Sequence, residues 1–264
     1  MSKKHKEAVQ KQFTKTADAF AKFAVRDSLE VLGEKVEFAK PQAHELILDV
    51  ACGPGAFVLA VAPRVRFSMG IDLTPEMLRQ ARQFQAEKQT ANAAFLRGDA
   101  DYLPFPAACF DLVSCQHAFH HITKPEPVLR EMIRVTKPEG GLLILDPLAP
   151  ESDAKFELYN HIERLRDPSH TSSLRLTSFL SMFEEHGLEV FRQSLRRRPR
   201  SFNQWMQRAG LLPGKKRYAE TRRQMEESIP GDKAGFSARA DGDDIQIVHN
   251  EGMFLARRLP VDSA

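Results

Sequence analysis

The chain has 264 residues with a formal net charge of +3, and 42% of its residues are hydrophobic. This length suffices for one large α/β domain, and the composition is ordinary for a soluble globular protein. The small net charge gives no support to a nucleic-acid or membrane-surface partner. The three cysteines lack disulfide-framework spacing, and no apolar run approaches the ~20 residues needed to span a bilayer, so we expect a soluble cytoplasmic protein.

The predicted elements begin with one amphipathic helix over residues 6–32, which carries Phe13 and Ala17 on its apolar stripe and stops at Gly33. From residue 46 onward, strands and helices alternate. Strands are predicted over residues 46–50, 67–72, 94–97, 110–116 and 142–145, and helices begin near residues 56, 74 and 125. Such alternation with short turns predicts a parallel sheet with helices on both faces.

The remainder of the chain departs from this alternation. Residues 150–173 are polar and irregular in pattern. The later predicted elements are a helix over residues 177–187, a strand over 190–195, helices over 201–209 and 218–228, and a last strand within 245–258. Five arginines between residues 192 and 200 fit a solvated loop or strand end better than an anion-binding patch.

Asp49 lies at the end of the first predicted strand, and Gly53 and Gly55 follow it in a tight loop before a helix. Glycine lets the backbone turn sharply there and approach a ligand closely. A dinucleotide-binding loop has a third glycine three positions later, where this chain has Val58. The charge of Asp49 would repel a pyrophosphate but would stabilise an amino group or a sulfonium. A structural turn with a helix-capping acid is the alternative interpretation.

Two more acids end the next two predicted strands. Asp72 lies about 20 residues beyond the glycine loop, where a carboxylate can accept hydrogen bonds from both ribose hydroxyls. Asp99 follows the third strand, where an acid can accept from an adenine amine. Taken singly, Asp72 also fits a helix N-cap and Asp99 a polar turn. Their order, with one acid for each strand–helix unit, favours an adenosine-bearing, positively charged cofactor.

A family resemblance rests on residues 48–55, 70–78, 98–105, 110–115 and 134–141. Through them the chain resembles the class I S-adenosylmethionine-dependent methyltransferases, and within these the ubiquinone/menaquinone-biosynthesis C-methyltransferase-like group. The resemblance implies an α/β fold with a doubly wound, mostly parallel, seven-stranded Rossmann-like sheet and a helical lid. It also implies S-adenosylmethionine as the cofactor and S-adenosylhomocysteine as its product.

The resemblance further implies how the single domain, residues 1–264, is divided. Residues 1–40 would form a helical cover, residues 45–147 the cofactor-binding half, and residues 150–245 the substrate side with the lid. The residues implied to bind the cofactor are Phe13, Asp49, Ala51, Gly53, Gly55, Asp72, Leu73, Asp99, Ala100 and Cys115, the last through its backbone.

Three histidines, His117, His120 and His121, follow the fourth predicted strand, on the rim where open α/β sheets bind ligands. A protic methyl acceptor needs a base with a pKa near neutrality, so His121 and His120 are candidate bases. His170, in the irregular segment after the fifth strand, is a third candidate. Packing or helix-capping histidines are the alternative interpretation. No metal site is expected, because no partner acid accompanies the three histidines in sequence.

The sequence therefore predicts a methyltransferase that acts on a small molecule, with carbon, oxygen and nitrogen acceptors all open. The rivals are a nicotinamide-dependent dehydrogenase, a catalytically silent cofactor-binding protein and a nucleic-acid methyltransferase. The tetrads Asn-Pro-Pro-Tyr and Asp-Pro-Pro-Tyr, which are typical of base-amine methylation, are absent from the sequence. Nucleic acid is accordingly not the expected partner, and the oligomeric state stays open.

Overall fold

The computed structural model describes residues 1–26 and 29–259, with side chains described for residues 1–18 and 31–259. The helices are α1 (Lys3–Arg26), α2 (Leu29–Ala39), α3 (Ala56–Val61), α4 (Pro75–Glu87), α5 (Pro125–Val135), α6 (Asp153–Arg166), α7 (Leu176–Glu185), α8 (Phe202–Arg208) and α9 (Lys216–Ser228). The strands are β1 (Leu46–Val50), β2 (Phe67–Asp72), β3 (Ala93–Arg97), β4 (Phe110–Gln116), β5 (Thr136–Leu148), β6 (Leu188–Ser201), β7 (Arg239–Asp241) and β8 (Asp244–Arg258). Within the described ranges, no helix is both long enough and apolar enough to cross a membrane.

Seven strands follow the order β3-β2-β1-β4-β5-β8-β6, and β7 pairs with β8 beside this path. Strands β1 to β5 run parallel, whereas β8 lies antiparallel to both β5 and β6. Because β2 and β4 flank β1 on opposite sides, the topological switch point lies between β1 and β4, and open α/β sheets bind ligands outside the strand ends at that point. The predicted doubly wound, mostly parallel sheet is confirmed. The short β7 is an eighth strand that the sequence pattern did not indicate.

The central strands are buried on both faces. Leu48 of β1 and Val113 of β4 are fully buried, as expected for parallel strands covered by helices. Val128 and Leu129 of α5, both predicted to face the core, are also fully buried and pack in the same cluster. Each such burial contributes on the order of 1.5–3 kcal/mol to stability. The strand ends at the switch point are therefore supported by a well-packed hydrophobic core.

The prediction of a single N-terminal helix is wrong, because the described residues form two helices there. α1 ends at Arg26 and α2 begins at Leu29, while Asp27 and Ser28 lie outside the described residues. Gly33 is not a stop but lies inside α2. Apolar residues continue at helical spacing into α2, so the hydrophobic pattern alone does not mark the boundary between the two helices.

The segment predicted to be irregular contains α6. Two residues of its buried face, Asn160 and Glu163, are polar. Both have internal partners: Glu163 Oε1 lies 3.0 Å from His249 Nε2, and Asn160 Oδ1 lies 2.9 Å from His170 Nε2. Polar residues on the buried face weaken the apolar period of the helix, which is why the sequence pattern missed it.

The arginine cluster lies within β6, which extends further than predicted. Because side chains alternate along a strand, Arg196 and Arg198 share one face, where both form ion pairs with Glu34 of α2. Arg198 and Arg200 also pair with Glu251 of β8. Alternate arginines of the cluster thus join β6 to α2 and β8, and they do not form a solvated loop.

Candidate active site

One cavity of about 520 Å³ lies over the carboxyl ends of β1, β2 and β4. We call the part lined by Asp49, Asp72 and Asp99 the acidic end, and the part lined by His117, His120, His121 and His170 the histidine end. Of the residues implied to bind the cofactor, the cavity wall includes Phe13, Asp49, Ala51, Gly53, Asp72, Leu73, Asp99 and Ala100. The fold therefore brings most of the predicted binding residues and all of the candidate bases to one cavity.

Asp72 organises the glycine loop at the acidic end. Its Oδ2 accepts the backbone N–H of Gly53 at 2.8 Å, and its Oδ1 accepts the backbone N–H of Thr74 at 2.8 Å. Burial raises the pKa of Asp72, and these two backbone N–H groups oppose that rise. Each carboxylate oxygen has a further lone pair, so Asp72 can still accept two hydroxyl hydrogen bonds from a ligand.

Asp49 is the most deeply buried acid of the acidic end, with 3% of its surface exposed. Its Oδ1 accepts a hydrogen bond from the hydroxyl of Ser114, which lies opposite it on β4. Burial raises the pKa of Asp49 to about 7; the Ser114 hydroxyl and Lys35 oppose the rise, and Asp72 adds to it. A positively charged ligand group would therefore find a carboxylate here that gains strongly from being paired.

Helix α1 closes the acidic end from above. Lys6 forms ion pairs with Asp99 and, at 2.6 Å, with Asp101. Further along the same helix, Gln10 Nε2 donates to the carbonyl of Leu73 at 2.8 Å. Side-chain contacts at two positions of α1 thus hold the helix across the cavity, and one of them occupies the carboxylate that the resemblance assigns to adenine.

Two residues implied to bind the cofactor lie outside the cavity wall. Gly55 has φ +76°, and a Cβ on it would lie 2.5 Å from the ring of Phe95. Its missing side chain therefore makes room for β3 and not for a ligand. Cys115 is fully buried in the sheet core, where its backbone pairs with Val50 and Ile144. The next residue along β4, Gln116, lines the cavity in its place.

Replacing Gly55 with alanine is expected to lower the free energy of unfolding by about 2–5 kcal/mol. The left-handed backbone accounts for about 1–2 kcal/mol of this loss and the overlap with Phe95 for about 1–3 kcal/mol. Urea unfolding measures the change. Gly33→Ala is the matched control, because a Cβ there meets nothing within 4 Å and alanine is favoured inside a helix by roughly 0.5–1 kcal/mol. Equal stability of the two variants would contradict the assignment of Gly55 as a packing residue.

His120 is paired with a buried acid at the histidine end. Its Nδ1 lies 3.0 Å from Asp146 Oδ1, and its backbone N–H donates to Asp146 Oδ2 at 3.0 Å. Burial tends to lower the pKa of His120, but the charge and hydrogen bond of Asp146 outweigh this effect and raise the pKa above its ordinary value. Because the carboxylate accepts the Nδ1 proton, the Nε2 lone pair is left for another partner.

The other two candidate bases each have one ring nitrogen engaged in a hydrogen bond with a neutral side chain. His121 Nδ1 lies 3.1 Å from the hydroxyl of Ser169, which donates in turn to Asp167 at 2.6 Å. His170 Nε2 donates to Asn160 Oδ1 at 2.9 Å. Burial lowers the pKa of His121 to about 4 and that of His170 to about 3. Both imidazoles are therefore neutral near pH 7 and are weak bases.

The three rings lie close together and one of them contacts α1. The centroids of the His120 and His121 rings are 4.2 Å apart, and those of His120 and His170 are 5.5 Å apart. The ring of Phe13 meets His121 edge-on at 4.9 Å, and His5 Nε2 donates to the carbonyl of His121 at 2.8 Å. In the part of the chain that the structure describes, no three His, Cys, Asp or Glu side chains are grouped as metal ligands.

Comparisons with known proteins agree with this geometry. Residues 48–144 match the family model described as a methyltransferase domain. The uncharacterized methyltransferase YcgJ of Bacillus subtilis is 35% identical over 198 residues, which cover 75% of this chain and 78% of YcgJ. The crystal structure of YcgJ matches 88% of this chain and 100% of its own, with a TM-score of 0.80 and 29% identity.

A relative with a named substrate matches over a shorter stretch. The demethylmenaquinone methyltransferase of Deinococcus radiodurans is 40% identical over 119 residues, which cover 43% of this chain and 48% of that protein. The likeness to YcgJ, by contrast, extends over most of both chains. This protein belongs to the class I S-adenosylmethionine-dependent methyltransferases, as the resemblance in its sequence implied, and S-adenosylmethionine is its cofactor.

Proposed function

We propose that the protein transfers a methyl group to a small-molecule acceptor in the cytoplasm and that His120 removes the acceptor proton. The observation that carries this proposal is the pairing of His120 Nδ1 with buried Asp146 in a residue that lines the cavity, so that Nε2 is the ring nitrogen left to take a proton. The three cysteines are free, in keeping with a reducing compartment. Residues 1–40 act as the cover, 45–147 as the cofactor half and 150–245 as the acceptor side.

The acidic end suits the cofactor in charge and in hydrogen-bonding capacity. S-adenosylmethionine carries a sulfonium and an ammonium, and Asp49 supplies a buried carboxylate for this cationic part. Asp72 accepts the ribose hydroxyls. Asp99, which also pairs with Lys6, receives the adenine together with Ala100. Phe13, Ala51, Gly53 and Leu73 complete the contact surface. Gly55 and Cys115 act indirectly, through the loop and the strand that they shape.

When bound, the cofactor supplies an electrophilic methyl group, so the protein mainly aligns the acceptor and excludes water. Helix α1 provides the exclusion, since it is fastened over the cavity by Lys6 and Gln10. His120 Nε2 takes the acceptor proton, and Asp146 holds the ring and stabilises the imidazolium that forms. The pKa values of His121 and His170 are too low for an efficient base. Both rings instead pack beside His120, and His121 also contacts α1.

Incubation with S-adenosylmethionine labelled in its methyl group tests the proposal. The acceptors offered are a panel of phenols, quinols, carboxylic acids and amines, with total RNA in a parallel sample. We expect label in an extractable small molecule. Label on RNA alone, or none in any small molecule when the cofactor is bound, would contradict the proposal.

Cofactor affinity is expected to rise with pH and to level off above about 7. Burial raises the pKa of Asp49 to about 7 in the free protein, so below that pH a proton must leave before the carboxylate can pair with the cationic cofactor. The affinity should then fall by up to about tenfold for each pH unit below the pKa. The raised pKa of Asp49 also means that the folded protein without cofactor favours the protonated side chain. Its contribution to the free energy of unfolding is therefore complete below about pH 4 and is lost as the pH rises through about 7.

Isothermal titration with S-adenosylmethionine, in buffers of different ionisation enthalpy, reports both the affinity and the proton released. Asp49→Asn is the control, since it keeps the size of the side chain and cannot ionise. We expect a flat pH dependence for the variant. An equally steep dependence in the variant would assign the proton to another group, of which Asp72 is the nearest alternative because burial raises its pKa too.

A further inference from the structure

The turn that follows β4 has a strained backbone. His117 adopts φ +52°, a left-handed conformation that is uncommon for residues other than glycine. Its N–H donates to the carbonyl of Leu145 at 2.7 Å, which holds the turn against β5. Strained backbone conformations are frequent at functional sites, where they orient a side chain in a direction that an unstrained turn would not allow.

The residue before this turn, Gln116 at the end of β4, carries polar groups without partners. Both polar atoms of the Gln116 amide are shielded from solvent and have no hydrogen-bond partner among the described residues. Gln116 and His117 both line the cavity. Shielded polar groups without partners are unfavourable, and native proteins keep them where a ligand completes them.

The surroundings of His117 are electropositive. Burial lowers its pKa to about 3, and Lys35 adds to this effect, as do His120 and Arg200, whereas Glu251 opposes it. Glu251 is itself paired with Arg200, its Oε1 lying 2.8 Å from the guanidinium. The imidazole is therefore neutral near pH 7, with one N–H to donate, and the charges around it favour an anion over a cation.

We propose that Gln116 and His117 form an oxyanion-binding site for the methyl acceptor, which presents a negatively charged oxygen to them. The side-chain N–H groups of the two residues are the donors, and Lys35 adds a favourable positive charge, whereas the charges of Arg200 and Glu251 offset each other. A carboxylate and an ionised phenol or enol share this chemistry. An aliphatic amine, which arrives as an ammonium, is disfavoured. This inference rests on the proposed function, since it concerns the acceptor part of the same cavity.

Binding of 4-nitrophenol to the protein loaded with S-adenosylhomocysteine tests the site, because the phenolate absorbs visible light and the phenol does not. We expect the ionisation constant of the bound phenol to rise by about tenfold, since donors to the anion favour the charged form. Gln116→Leu and His117→Gly should each remove most of this rise. Glycine keeps the left-handed turn at 117 without strain, so the second variant removes the ring without disturbing the backbone.

The control is Gln89→Gly, which likewise introduces glycine at a left-handed position, with φ +51°, at an exposed residue outside the cavity. Benzoate and benzylamine are then added as competitors. Displacement by benzoate extends the site to carboxylates, and its failure restricts the site to phenolates and enolates. Three results would overturn this inference and leave the proposed function standing. They are an unchanged ionisation constant of the phenol in the wild-type protein, a change in the two cavity variants as large as in the wild type, and displacement of the phenol by benzylamine. Failure of S-adenosylhomocysteine to bind at all would overturn the proposed function and this inference with it.

Discussion

Replacing His120 with alanine should slow methyl transfer by about 10²–10⁴-fold, the usual contribution of a positioned general base. The affinity for S-adenosylhomocysteine should change by less than about twofold, because His120 acts on the acceptor and the cofactor is held at the acidic end. Single-turnover transfer of a labelled methyl group measures the first quantity, and titration calorimetry measures the second. His161→Ala, on the exposed face of α6, is the matched control and should leave both unchanged.

The companion variant Asp146→Asn separates a base from a packing residue. In the wild-type protein the rate should rise with pH through the pKa of His120, which Asp146 raises. Removal of the carboxylate charge lowers that pKa, so the acidic limb of the rate profile should move to lower pH while the plateau falls. A profile that keeps its position when Asp146 is changed would show that His120 is not the titrating base.

Replacing Asp72 with alanine should weaken cofactor binding by about 1–3 kcal/mol, or about 5- to 150-fold in Kd, because two ribose hydroxyls lose their acceptor. The backbone N–H groups of Gly53 and Thr74 lose the same carboxylate, so the glycine loop also loosens. Calorimetric titration with S-adenosylhomocysteine measures the effect.

The thermal midpoint of the free protein separates loss of the ribose contact from loss of the loop. Burial raises the pKa of Asp72, which means that the folded protein tolerates its charge poorly. Asp72→Asn removes that charge at constant size, but its NH2 group cannot accept one of the two backbone N–H groups, so the free protein should be destabilised less than by Asp72→Ala while the cofactor still binds more weakly. An unchanged Kd in both Asp72 variants would show that the ribose lies elsewhere.

Much of the fold could be predicted because its parallel strands are buried on both faces. The predicted bounds of β1, β2 and β4 agree with the structure, since each is a short, mainly apolar segment between polar turns. Helix α6 could not be predicted, because its buried face carries Asn160 and Glu163, whose partners come from distant parts of the chain. The periodicity of hydrophobic residues marks the buried face of a helix only when the residues on that face are apolar.

The acidic end was predictable because each of its acids lies at the end of a predicted strand or just beyond it, and parallel strand ends meet at one rim. The backbone contact expected of Cys115 stays a prediction, and the side chain that lines the cavity at this strand end is that of the next residue, Gln116. The pairing of His120 with Asp146 could also have been predicted by the same rule. Asp146 is an acid near the end of β5, and β5 lies beside β4 in the sheet. The contribution of Arg200 and Glu251 depends on the pairing of β6 with β8, which the local sequence does not encode.

A crystal structure with S-adenosylhomocysteine bound tests the central claim most directly, namely that one cavity holds the cofactor at its acidic end and the acceptor at its histidine end. We expect the ribose hydroxyls within hydrogen-bond distance of Asp72 and the sulfur facing the space beside His120. A ribose bound away from Asp72, or a sulfur enclosed on the side opposite His120, would contradict it.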